Sequence, residues 1–173
     1  EKHTSRVRRA KKNLVMGDEL HFYYDPAILD KTPLEAKLIS DEGEYSIWYK
    51  PSGMLSQGSK WSDHCVINRV VDQQIDAKKP VFLVHRLDKA AKGLMILAHT
   101  KSTAAQLSKL VQEREIEKHY RATVRGNHSI RPQPETLTDP IDTREACSHV
   151  SCLQYDAKTN TSFLDVHIET GRK

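Results

Sequence analysis

The sequence is consistent with an α+β chain, and three observations lead there. Short runs of Val, Ile and Leu, such as Val81 to Val84 and Leu94 to Ala98, stop after four or five residues, which is strand length rather than helix length. Other segments alternate apolar and polar side chains with the period of two of a half-buried strand. Between them lie segments whose apolar residues recur at the spacing of a helix. These periods order the elements along the chain without selecting a topology.

In chain order, NLVMGDELHFYYDP comes first. Gly17-Asp18 is a turn signal, and Leu20, Phe22 and Tyr24 alternate with Glu19, His21 and Tyr23 as in a strand. The stretch from Pro26 to Lys37, holding Pro26 and Pro33, reads as a linker. EYSIWYKPSGML predicts a strand over Tyr45 to Tyr49, halted by Pro51 and the Ser52-Gly53 turn. Cys65 to Gln74 carries Val66, Ile67, Val70 and Val71 at helical spacing.

The runs Val81 to Val84 and Leu94 to Ala98 read as two buried strands joined by a polar insert that ends on Gly93. Thr100 or Ser102 can cap a helix reaching about Glu113, with Ala104, Leu107, Leu110 and Val111 on one face. IEKHYRATVRG predicts a strand with Ile116, Lys118, Tyr120, Ala122 and Val124 on its apolar face and His119, Arg121, Thr123 and Arg125 on a basic one. Residues 126–145 are polar and Pro-rich and read as an extended connection. TSFLDVHIETGRK predicts a last strand with Leu164, Val166, Ile168 and Thr170 on one face. If that strand ran on unbroken, Arg172 would share this apolar face, where a guanidinium needs a partner.

The composition, 38% hydrophobic and 29% charged with seven Gly and seven Pro, is that of a soluble protein able to bury a core. No apolar run approaches the ~20 residues of a membrane helix and no signal-peptide pattern is seen, so no membrane partner and a cytoplasmic location are expected. Three cysteines without CxxC spacing argue against a disulfide framework. Cys147, His149 and Cys152 could suggest a metal, but zinc needs four ligands and no second ligand pair is evident, so no metal is expected.

Charge is distributed unevenly. Residues 1–12 hold six Lys/Arg against Glu1, a net +5, and the other 161 residues hold 21 Lys/Arg against 22 Asp/Glu, a net −1. A basic run beside a near-neutral body fits a polyanion such as RNA, and equally a solvated tail. The polar insert concentrates His85, Arg86, Asp88, Lys89 and Lys92 between two apolar runs. A loop on such a support is where chemistry is usually carried, although the charges alone would also suit a solvated ion pair.

HRLDKAAKGLMILA resembles the signature of RNA pseudouridine synthases of the RluA type, in which the HRLD tetrapeptide holds the catalytic aspartate. EYSIWYKPSGMLSQ resembles the family's strand ending in Lys-Pro, KHYRATVRG its Tyr-x-Ala-x-Val-x-Gly strand, and HIETGRK the start of its Thr-Gly-Arg motif. Four motifs in the family's order span residues 44–173. Residues 1–25 are similar to the tail of the small alpha-L RNA-binding domain that often precedes this catalytic domain. The implied organisation is a tail of that domain plus linker over residues 1–30 and a catalytic domain over residues 38–173.

The resemblance implies a mixed, largely antiparallel sheet with flanking helices and a catalytic cleft across it, and isomerisation of a uridine to pseudouridine in ribosomal or transfer RNA. Asp88 would be the catalytic carboxylate, Tyr120 would lie against the extruded uracil, and Arg172 would keep Asp88 ionised. Arg86 would enter the space of the flipped base or contact phosphate, with Leu87 beside it in the substrate site, and Lys89, Lys92, Arg121 and Arg125 would meet phosphates. No metal or organic cofactor is implied, and a monomer is expected.

Two departures stand out. Ala91-Lys92 replaces the Thr-Ser that usually precedes the glycine, removing two hydroxyls and adding a cation that can meet phosphate. The family's Thr-Gly-Arg motif also continues into a His-Gln segment and further core elements, so the resemblance implies a domain truncated at Lys173, whose alternative role is to bind RNA without modifying it.

Overall fold

The computed structural model describes residues 13–21, 26–58, 65–75 and 79–171. The chain divides into two compact units, residues 1–32 and 33–173. In the first unit the turn forms as predicted. Gly17 takes φ +94°, Asp18 N–H donates to Val15 O at 3.1 Å, and the Asp18 carboxylate accepts from Val15 N–H at 3.0 Å. Leu20 is exposed and belongs to no strand; Phe22, Tyr24 and the basic run of residues 1–12 lie outside the described residues. A single helical turn, α1 (Pro26–Leu29), starts on Pro26, whose fixed φ suits a first helical position.

Among the described residues the second unit holds two four-stranded sheets where one was expected, and every strand pairing within them is antiparallel. The first sheet has the order β1-β2-β4-β3, from β1 (Lys37–Asp41), β2 (Tyr45–Lys50), β3 (Phe82–Leu83) and β4 (Gly93–Ala98). Strand β1 begins at the end of the expected linker and runs through a stretch given no element, because it is an exposed edge with little apolar alternation. In β2, Ser46, Trp48 and Lys50 are buried and their neighbours half-buried, and the register sets Trp48 against Met95 and Lys50 against Gly93.

Helix α2 (Ile67–Gln74) turns Ile67, Val70 and Val71 into the same core as Trp48, Met54, Met95 and Leu97. Ser46 and His99, both buried in this region, are hydrogen-bonded. Ser46 Oγ accepts from Trp48 Nε1 at 2.7 Å and donates to His99 Nε2 at 2.8 Å, while His99 Nδ1 donates to Pro80 O at 3.1 Å.

Helix α3 (Lys101–Gln112) follows β4, and of its two predicted caps Thr100 is the one used, its side chain accepting from Thr103 N–H at 3.1 Å. Among the described residues no helix is long and apolar enough to cross a membrane.

The second sheet has the order β5-β8-β7-β6, from β5 (His119–Arg125), β6 (Glu135–Leu137), β7 (Ser148–Asp156) and β8 (Thr161–Ile168). Strand β5 alternates as predicted, with Tyr120, Ala122 and Val124 half-buried and their neighbours exposed. Strand β6 lies within the expected extended connection, and β7 was not predicted at all.

Candidate active site

The polar insert after β3 is held at both ends and along its backbone. His85 Nε2 accepts from Ile96 N–H of β4 at 3.0 Å, which fixes the start of the loop on the sheet. Two residues on, Ser56 bonds Leu87 twice, its Oγ donating to Leu87 O at 2.5 Å and accepting from Leu87 N–H at 3.0 Å. Gly53 N–H donates to Lys89 O at 2.7 Å and Ser52 Oγ to Ala90 O at 2.8 Å. Lys50, wholly buried at the end of β2, donates to Ala91 O and Met54 O at 2.7 Å each and to Pro51 O at 3.1 Å.

The segment after β2 and the loop bearing Asp88 are thus one hydrogen-bonded body. Gly53 takes φ +92°, a conformation that glycine adopts without strain and that aims its N–H at Lys89.

This frame presents Asp88 on an exposed turn, closed by Ala91 N–H donating to Asp88 O at 3.1 Å. Tyr120 of β5 packs partly buried against the same core, and its phenol is pushed up by burial and then by the negative charge of Asp88. Burial pushes the Lys50 ammonium down, while the charge of Asp88 opposes that shift. Asp88, Tyr120 and Lys50 therefore share one electrostatic neighbourhood. The His85 imidazole is pushed down by burial and then by the charge of Lys118.

Several sequence expectations change. Leu87 is 9% exposed and belongs to the hydrophobic core, so it anchors the loop rather than facing RNA. Arg86, Lys89 and Lys92 are exposed beside Asp88 in the loop. Arg121 and Arg125 fall on the face of β5 opposite Tyr120, where Arg121 pairs with Asp165 at 2.5 Å. Ala91, at the first departure from the family pattern, packs against the core and offers its carbonyl to Lys50, while Lys92 faces solvent. Arg172 lies outside the described residues. Just before it, Thr170 Oγ1 accepts from Cys147 N–H at 2.9 Å, and a Cβ built on Gly171 would lie 3.6 Å from Lys118 Nζ.

Sequence reasoning missed Lys50, Ser56 and Lys118. For Lys50 a signal existed: a lysine in the inward phase of β2, two residues after Trp48 and directly before the Pro that ends the strand. The suggested set of Cys147, His149 and Cys152 is divided by the pleat. Cys152 shares the face of Val150, whereas Cys147 and His149 are joined by Glu169, the ligand atoms of these three lying within 4.8 Å of one another.

A family model described as RNA pseudouridylate synthase matches residues 44–173, three quarters of the chain. The chain belongs to the RNA pseudouridylate synthase family. Within this family it is 27% identical to an uncharacterised RNA pseudouridine synthase of Mycobacterium bovis, across 85% of this chain and 54% of that one. It is 32% identical to a mitochondrial pseudouridylate synthase of Bos taurus, across 83% of this chain and 38% of that one. The fold agrees with the structure of human RNA pseudouridylate synthase domain containing 1, with a TM-score of 0.64 at 15% identity, covering 80% of this chain and 61% of that one. The chain thus spans 54% or less of these two curated relatives.

Proposed function

We propose that the whole protein isomerises a uridine to pseudouridine in ribosomal or transfer RNA, with Asp88 as the catalytic carboxylate. One observation carries this reading: the HRLD aspartate is exposed on a loop whose backbone is bonded to Lys50, Ser52, Gly53 and Ser56, and its charge acts on Tyr120 from a neighbouring strand. The reaction breaks the bond from uracil N1 to the ribose, forms one from C5, and moves a proton from C5 to N1. It is redox-neutral and needs a positioned carboxylate acting as nucleophile or base.

RNA closing over Asp88 would shed water and raise the cost of its charge. The fixed ammonium of Lys50 beneath the loop offsets that cost, a task the sequence assigned to Arg172 alone. Tyr120 offers a ring on which an extruded base can stack, and Arg86, Lys89 and Lys92 offer cations to the backbone.

The test is Asp88→Asn in the full-length protein. Pseudouridine formation is expected to fall by at least ~10²–10⁴-fold while RNA affinity holds. An unchanged yield overturns the assignment of Asp88, and an inactive full-length protein that still binds RNA favours a pure binding role.

A further inference from the structure

The end of the second sheet holds a cluster that the proposed function does not use. Cys147 precedes β7, His149 lies on it, and Glu169 follows β8. Their placement is set by the backbone: Glu169 N–H donates to Cys147 O at 3.1 Å, and His149 pairs with His167 across the two strands. All three side chains therefore rise from one face within a single pleat. We propose that Cys147, His149 and Glu169 form a three-ligand site for a zinc-type divalent cation, with solvent in the fourth position.

Thiolate, imidazole and carboxylate are the ligand types of a borderline-soft ion, and three protein ligands with one open position is a recognised zinc arrangement. Tetrahedral zinc requires ligand atoms roughly 3–4 Å apart. The three atoms lie within 4.8 Å of one another, and His149 Nε2 and Glu169 Oε1, hydrogen-bonded at 2.7 Å, must part slightly as the others close, so side-chain rotations of about an ångström assemble the set.

The imidazole is also held for this task. Thr136 Oγ1 lies 3.0 Å from His149 Nδ1, and a hydroxyl can either donate or accept. In the metal-free protein it donates to Nδ1 while Nε2–H donates to Glu169. With a cation bound it accepts from Nδ1–H and leaves the Nε2 lone pair to the metal, the outer contact that usually orients a histidine ligand. A pocket of about 370 Å³, lined by Cys147 with Arg114, Thr138, Glu145, Ala146 and Thr170, lies beside the cluster.

A nucleophilic cysteine is the competing reading. It requires the imidazole to take the thiol proton, yet Nδ1 is bonded to Thr136 and Nε2 to Glu169.

The experiment titrates the tag-free chain with Zn²⁺ alone under equilibrium dialysis, then repeats it with Co²⁺ and records the near-ultraviolet and visible spectrum. One zinc per chain and a thiolate-to-cobalt charge-transfer band are expected. Cys147→Ser, His149→Ala and the near-isosteric Glu169→Gln should each weaken binding at least ~10-fold, while Cys65→Ser and Cys152→Ser leave it unchanged. Absence of stoichiometric zinc, absence of the thiolate band, or binding that survives both Cys147→Ser and His149→Ala overturns the site. These readouts are independent of RNA modification, so they stand apart from the proposed activity.

Discussion

The two sheets of the larger unit solve different problems. In the first, Trp48, Met95 and Leu97 are at most 1% exposed and helix α2 adds Ile67 and Val71 to the same core. In the second, no residue of β5 is fully buried, and β8 pairs buried Ser162 and Leu164 with four half-buried residues at its end. The first sheet can therefore hold a loop rigidly, because its backbone contacts rest on a dry, close-packed layer. The second is a thinner wall that contributes Tyr120 from one face and a row of histidines from the other, with His119 stacked on His167 at 4.7 Å.

The contrast has measurable consequences. Met95→Ala, in the centre of the first sheet, should cost about 2–5 kcal/mol in urea unfolding. Val166→Ala, half-buried in the second, should cost about 1 kcal/mol, and equal losses would show that both sheets share one core. Lys50→Met keeps the volume but removes the donor to three carbonyls, and should cost about 2 kcal/mol while lowering turnover of the full-length protein. A variant of normal stability and turnover would show that the loop needs no support from below.

The smallest effect concerns pH. The folded protein lowers the affinity of His85 for a proton, whereas the unfolded chain takes one up near pH 6.5. Stability is therefore full above that value and is lost as pH falls through it toward the lower folded value. In His85→Gln the component of acid sensitivity due to this group should disappear, as read from the difference between the two stability–pH curves.

Much of the fold is legible in short apolar runs, breakers and apolar periods. Strand β4 shows as an apolar run, β2 as a segment halted by Pro51 and the Ser52-Gly53 turn, β5 by its alternation, and α3 by Thr100 placed before a helical spacing. Strand β7 carries Ser148, His149, Ser151 and Gln154 among its apolar residues, so its period of two is diluted and the strand goes unread. Strands β1 and β6 are edges and need no apolar face. In the site, HRLD and Tyr120 stood out as side chains. Ser56 and Lys50 act on backbone carbonyls and amides more than thirty residues away, contacts that no local spacing encodes.

The joined loops have one more consequence. A carboxylate whose support is tied down from Leu87 to Ala91 has little travel of its own, so under the proposed activity it does not reach into a duplex. The nucleic acid would supply the whole displacement, and its local stiffness would then grade the targets. Uridines already loosely stacked, in loops or beside mismatches, would be reached most readily, and a firmly paired uridine would be passed over even with every phosphate contact made.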